Sequence, residues 1–345
     1  MASSSSKTLP LFLLTCSLLC SSWPTASGIR FPDHDEVLQK FKQWMTRYGR
    51  EYKDETEKLY RLGVFTNNLK YVDAFVKSGE RSYSVGLNQF ADLTNEEFLA
   101  GHTGLRQSNA SKPTASHFSY DNVTTVPATV DWRSRGVVTS IKDQGSCGSC
   151  WAFSSVAAME SIILIKKRKQ LDLSEQELVD CDFFNSGCNG GWMNDAFAFV
   201  IRNGGITSEA KYPYVGSQGV CRVAELRDNA ATISGFVDVP ENDERALMVA
   251  VAQQPVSVAI AIDAGGGLDF QLYTGGVFSG PCGTTMNHAV TVVGYGEDGR
   301  GNKYWIAKNS WGASWGDGGY MLMKKDVEEK EGLCGIAMRA SYPTI

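Results

Sequence analysis

Seven of the nine cysteines lie from Cys147 onward, and an odd number of thiols cannot all be paired. The other two, Cys16 and Cys20, sit in or at the end of an apolar run that starts at Leu9. Lys7 precedes that run and the small residues Thr25-Ala26-Ser27-Gly28 follow it. This layout reads as a secretory signal peptide over residues 1–27, with an apolar stretch too short to span a bilayer. The rest of the chain is then expected in an oxidising compartment. There Cys147, Cys150, Cys181, Cys188, Cys221, Cys282 and Cys334 most simply form three disulfides around one free thiol. Which thiol stays free, and how the rest pair, the residue count leaves open.

Histidine narrows the chemistry. Only four are present, His34, His102, His117 and His288, and only His288 falls within the cysteine-bearing region. A His-rich metal site is excluded there, no metal or cofactor is implied, and a Cys/His catalytic pair can be assembled in one way only. A hydrophobic content of 43%, a charged content of 21% and a net charge of −5 over 345 residues fit a globular chain with no nucleic-acid partner. The basic run Lys166-Lys167-Arg168-Lys169 ends a predicted helix, where it complements the negative end of the helix dipole. No later segment is long and apolar enough for a membrane helix.

The chain divides by pattern. Residues 28–125 lack cysteine and contain a predicted helix from Glu55 to Val76, with Leu59, Leu62, Phe65, Leu69, Val72 and Val76 forming an apolar stripe. The Ser-, Thr- and Asn-rich stretch from Gln107 to Thr125 reads as a linker and carries glycosylation acceptors at Asn109 and Asn122. A compact unit over 126–345 follows, starting at Val126-Pro127. Its first half is helical: Trp151 to Lys167 is apolar nearly all round, Ser174 to Glu177 has a capping-box pattern, and Asp195 to Arg202 ends at Asn203-Gly204. Strands are expected over Val256–Ile262, His288–Gly294, Tyr304–Lys308 and Tyr320–Lys324. The fold class is therefore α+β, with Cys150 in a helical lobe, His288 in a β lobe and a site at the seam.

In the segment from Gln144 to Phe153, glycines and serines lead into a helix that Cys150 opens. A thiol there faces unpaired N–H groups and the positive dipole end, which favour thiolate. Cys147 and Cys150 also have the spacing of a redox pair or half a zinc site. A zinc site needs a second close pair, which Cys181 and Cys188 do not provide, and a redox pair would leave His288 without a task. Asn309, beyond the next strand, can accept the second imidazole N–H and fix the ring.

These residues resemble a papain-family cysteine peptidase precursor, closest to plant members, over the whole chain. The separation of His288 from Cys150 falls within the roughly 130–150 residues usual there. The resemblance implies a two-lobe fold with an antiparallel β-barrel lobe, preceded by an inhibitory helical propeptide. It makes Cys150 the nucleophile, His288 the acid/base, Asn309 the orienter and Gln144 an oxyanion donor. Trp311 would cover the Asn309–His288 contact. Gly190 and Gly191 would pair with substrate backbone, and Trp192, Met193, Ala259, Met286 and Arg339 would wall the pocket for the second residue before the cut (P2). Asn287 stands where aspartate is usual before the histidine. The implied disulfides are Cys147–Cys188, Cys181–Cys221 and Cys282–Cys334. Glu57, Arg61, Phe65 and Asn68 fit the propeptide's helix motif, with valine at 72 and 76 as departures, and Gly86, Asn88, Phe90 and Asp92 fit its second motif. Acidification is expected to release the propeptide by protonating carboxylates such as Asp92. Implied partners are protein and peptide substrates, the chain's own propeptide and cystatin-like inhibitors, acting on a monomer in a vacuole, a lysosome-like compartment or outside the cell. A catalytically silent storage or binding protein on the same fold is the alternative, but such a chain is expected to lack Cys150, His288 or Gln144.

Overall fold

A computed structural model of the protein describes residues 34–106, 115–118, 120, 123–262, 265 and 267–345. The signal-peptide reading and both glycosylation acceptors, Asn109 and Asn122, fall outside these residues. The chain opens with α1 (His34–Tyr48), α2 (Glu55–Lys77), β1 (Tyr83–Val85) and α3 (Asn95–His102). Next come β2 (Val130–Asp131) and the helices α4 (Cys150–Lys167), α5 (Glu175–Cys181) and α6 (Met193–Arg202). The remainder is β3 (Gly235–Asp238), α7 (Glu244–Gln253), β4 (Val256–Ile260), α8 (Gly267–Gln271), β5 (Tyr273–Phe278), β6 (His288–Glu297), β7 (Lys303–Lys308), β8 (Tyr320–Lys324) and β9 (Ala340–Thr344).

The strands follow the order β1-β5-β8-β7-β6-β4-β9-β3, and β2 also pairs with β6. Pairing is antiparallel except between β5 and β8, so the sheet is mixed rather than wholly antiparallel. β1 comes from the N-terminal segment and adds itself to one edge. β6 is buried along nearly its whole length, which explains its continuous apolar run. One face of it meets α4, a helix buried from Cys150 to Ile163.

Two apolar clusters result. One lies among α4, α5 and α6, and contains Trp151, Met159, Leu178 and Phe197. The other fills the β lobe and continues into the N-terminal segment, joining Phe41, Trp44, Phe65 and Phe98 to Phe270, Trp311 and Trp315. The N-terminal helices therefore share a core with the β lobe.

Two local readings need correction. The buried side of α2 is Val64, Phe65, Asn68 and Leu69, while Leu59 and Val76 are 64% and 67% exposed. Leu62, Tyr71, Val72 and Phe75 pack partly against the same core, and Phe75 meets the Tyr83 ring at 5.2 Å, so Leu59 and Val76 lie on the side of the helix left to solvent. Asn68 is polar yet buried because its Nδ2 donates to the carbonyls of Ala91 (2.8 Å) and Leu93 (3.0 Å). At α5, the Ser174 hydroxyl accepts from the Glu177 N–H at 3.0 Å, but the Glu177 carboxylate accepts from the Thr207 N–H instead of closing a box. The reciprocal box lies at Thr94 and Glu97, opening α3.

Phe65→Ala is expected to cost the precursor about 3–5 kcal/mol. Val76→Asn should stay within about 0.5 kcal/mol, as for an exposed position. Denaturant unfolding of both variants checks this. Equal losses would show that the Val76 face is covered after all.

Candidate active site

Cys150 is the first residue of α4 and the free cysteine among the described residues. The loop before it is fixed from both sides. Disulfide Cys147–Cys188 ties it to the turn at Gly187–Asn189, and the Gln144 N–H donates to the Ser310 carbonyl at 2.9 Å. The other sulfurs close as Cys181–Cys221 and Cys282–Cys334. Gln144 is fully buried, its Oε1 accepting from the Ser310 hydroxyl (2.6 Å) and its Nε2 donating to the Cys147 carbonyl (2.8 Å).

His288 opens β6, with its Nε2 2.8 Å from Asn309 Oδ1. That oxygen also accepts from the Ser310 N–H at 2.8 Å, which settles the orientation of the amide. Nε2 must then carry the proton, and the neutral ring keeps Nδ1 bare. Nδ1 is buried and has no hydrogen-bond partner among the described residues, so it is free to take a proton. The Trp311 ring stacks on His288 with centroids 4.5 Å apart and shields the Nε2–Oδ1 bond.

The cleft is filled by the chain's own residues 102–106. The His102 carbonyl accepts from Gln144 Nε2 (3.3 Å) and Trp311 Nε1 (3.1 Å). The N–H groups of Gly104 and Leu105 both donate to the Asn287 carbonyl, at 3.1 and 3.0 Å. Leu105 bridges Gly191 as a parallel strand: the Gly191 N–H donates to the Gly104 carbonyl and the Arg106 N–H to the Gly191 carbonyl. Gly190 has φ +114°, and a Cβ there would lie 2.4 Å from the Gly104 carbonyl oxygen. The buried Leu105 side chain belongs to the same apolar cluster as Met193 and Ala259, with Trp192 and Met286 packed against it. Arg339 lies beside these walls through its carbonyl, which accepts from the Ala259 N–H at 2.9 Å, while its guanidinium pairs with Glu241.

Covering the cleft sets the charge state. Burial pushes the Cys150 thiol up to about 12, against the backbone N–H groups of Ala289, Gly104 and Trp151. Burial also pulls His288 down to about 4, against its bond to Asn309. The covered pair is therefore a neutral thiol and a neutral imidazole. The thiolate favoured by the helix N-terminus alone requires an open cleft.

The sequence reading passed over His102, Gly104 and Leu105. The capping-box pattern from Thr94 to Glu97 could have located α3, whose end delivers them, but no periodicity marks the three residues themselves. Gly104 packs on Gly148 so tightly that an added Cβ would sit 2.0 Å from the Gly148 carbonyl oxygen. Gly104→Ala should therefore lift residues 102–106 from the cleft and speed alkylation of Cys150 in the intact precursor at neutral pH at least about tenfold, in line with the cost of overpacking. An unchanged rate would mean that the cleft is closed elsewhere.

Residues 126–344 match the papain family cysteine protease domain, and residues 41–98 match the cathepsin propeptide inhibitor domain. A senescence-specific cysteine protease of Arabidopsis thaliana is 49% identical, over 97% of each chain. Fruit bromelain of Ananas comosus is 46% identical, over 97% of this chain and 93% of its own. Among solved structures, recombinant stem bromelain precursor superposes with a TM-score of 0.83 at 46% identity, over 90% of this chain and 99% of that one. A covered Cys/His site at the seam of two lobes, a propeptide fold in front of it and these full-length likenesses agree: the chain belongs to the papain family of cysteine proteases, and is a cysteine endopeptidase made with its own propeptide inhibitor domain.

Proposed function

We propose that the mature enzyme starts near Val126, after a signal peptide over 1–27 and a propeptide over 28–125, and cuts peptide bonds through Cys150, His288 and Asn309. The observation that carries this reading is the bare Nδ1 of His288 beside a bonded Nε2, because only that tautomer can accept the thiol proton. With the cleft open, Cys150 passes its proton to Nδ1 and the thiolate attacks the substrate carbonyl. Gln144 Nε2, released from the His102 carbonyl, and the Cys150 N–H receive the oxyanion. His288 protonates the leaving amine. Water, deprotonated by His288, then cleaves the thioester and restores the thiol. Gly190 and Gly191 hold the substrate backbone, and Asn287 and Trp311 border it.

The place of Leu105 supports a P2 pocket walled by Trp192, Met193, Ala259 and Met286 that takes a bulky apolar side chain. Arg339 closes its far end, with Glu241 neutralising the guanidinium, so an acidic P2 residue gains nothing. The enzyme acts as a monomer within the secretory pathway, in a vacuole or outside the cell, with glycans at Asn109 and Asn122 and cystatin-like inhibitors as partners. Kinetics on a peptide pair with Leu or Glu at P2 test both parts. Leu should be preferred at least about tenfold, Arg339→Ala should leave that preference in place, and Asn309→Ala should lower kcat/KM about a hundredfold on both peptides. An Asn309→Ala enzyme within twofold of the parent would refute the triad, and a Glu preference would refute the pocket.

Acid release of the propeptide follows from histidine rather than from Asp92. Burial raises the Asp92 carboxyl, against Arg50, Tyr52 and Arg61, so protonation favours the closed form. That is opposite to the sequence expectation. His102 is lowered by burial in the cleft, which the Phe98 carbonyl and Asp143 only partly offset and to which Arg50 adds. A histidine with a depressed pKa stabilises the closed state above its open value of about 6.5 and loses that contribution as pH falls. His288, lowered to about 4, extends the window to that pH. His102→Phe keeps a ring against Phe90, Phe98 and Trp311 but cannot be charged. Its precursor should activate at a midpoint several tenths of a pH unit lower or more. An unchanged or higher midpoint would remove His102 from the trigger.

A further inference from the structure

The propeptide is also held at a place separate from the cleft. β3 ends the sheet: one edge pairs with β9, and no strand of the mature unit covers the other among the described residues. On that edge the Ser116 N–H donates to the Phe236 carbonyl at 2.9 Å, and Ser116 bridges Val237 in parallel. Phe118 is 9% exposed and lies in the cluster that holds Val237, Val239 and Tyr342. The Tyr120 ring stacks on Tyr342 with centroids 6.0 Å apart and an interplanar angle of 22°. Arg245 of α7 then donates to the Thr124 carbonyl at 2.7 Å. A backbone register, two aromatic anchors two residues apart and a guanidinium clamp are the parts of a strand-addition peptide site.

We propose that the outer edge of β3 is a peptide-binding exosite, and that it is occupied by the chain's own propeptide through Ser116, Phe118, Tyr120 and Thr124. Removal of that segment would bare an edge strand beside an aromatic face, an arrangement that readily recruits a further strand. The excised propeptide therefore grips the enzyme at the β3 edge as well as at the cleft and at the β5 edge that β1 covers. Anchorage at β3 adds to the local concentration of residues 102–106 over the cleft, so the cut propeptide acts as a multivalent product inhibitor. The site itself does not depend on the catalytic roles assigned above; only the release step rests on the proposed start near Val126.

The test uses the whole chain with Cys150→Ala, which stays uncut and keeps residues 102–106 in the cleft. A labelled peptide of sequence 115–125 is titrated by fluorescence anisotropy into this precursor and into its Phe118→Ala/Tyr120→Ala variant. The variant, having vacated the site, should bind the peptide at least tenfold tighter than the parent. A peptide with alanine in place of both aromatic residues should bind at least tenfold more weakly. Ser116→Pro, which deletes only the donor N–H on the edge, should also expose the site and serves where the aromatic variant does not fold. Equal binding to parent and variants, or no binding to any, would overturn the proposal. So would self-association of the variants in light scattering without peptide binding, which would make a second copy the occupant.

Discussion

The contact between α4 and β6 is the constraint on which the site depends. Cys150 begins the one element and His288 begins the other, so the site exists only if the two lobes meet in a fixed register. Small polar side chains fix it. The Ser154 hydroxyl donates to the Val290 carbonyl at 2.8 Å, and the Ser257 hydroxyl donates to the Ser154 carbonyl at 3.0 Å. Both bonds are buried, so a slip of one element past the other would leave unpaired polar groups at a cost of about 1–3 kcal/mol each. Apolar packing alone would tolerate such a slip. These serines make the seam specific as well as adhesive.

Behind Asn309 the same seam holds charge. Lys308, its neighbour in the chain, donates to the Thr139 carbonyl at 3.0 Å, and the Thr139 hydroxyl donates to Glu160 on α4. Lys142 pairs with Glu160 and Glu175 from the other side. Lys142 is matched by these carboxylates, so removing either side would leave charge buried and unpaired, whereas Lys308 reaches Glu160 only through Thr139. The strand that ends at Lys308 is thereby fastened to the helix that carries Cys150, one residue before Asn309, which bonds His288.

The candidate thiol and the histidine proposed as its base stood out because the count is arithmetical: an odd cysteine, a lone histidine and a helix N-terminus in one place. The buried helix α4 and the strand β6 were equally plain, since both are apolar over long runs. The face of α2 was less so. Periodicity records where apolar residues recur, but Leu59 and Val76 carry the stripe onto the side of the helix left to solvent, and the buried Asn68 interrupts it. The cover of the cleft at Gly104 and the strand register at Ser116 were not legible at all. They act through backbone N–H and carbonyl groups, as at Gly104 against Asn287 and Ser116 against Phe236, and every residue but proline has those groups. The sign of Asp92's share in the acid response was missed for a related reason. In sequence Asp92 reads as a carboxylate held by partners, and only the fold shows that burial outweighs its arginine and tyrosine neighbours.

Under the proposed roles, inhibition and catalysis use one set of groups in two solvation states. While Gly104 and Leu105 cover the cleft, desolvation opposes both charges of an ion pair, raising the thiol and lowering the imidazole. The helix N-terminus and the Nε2–Oδ1 bond stay in place but cannot overcome that penalty. Removing the cover starts from a His288–Asn309 bond that is already formed. It returns water to the cleft, frees a Gln144 N–H from the His102 carbonyl, and lets the existing dipoles favour thiolate and imidazolium. On the proposed mechanism the propeptide domain then inhibits in two ways, by covering the cleft and by holding the Cys150 thiol protonated.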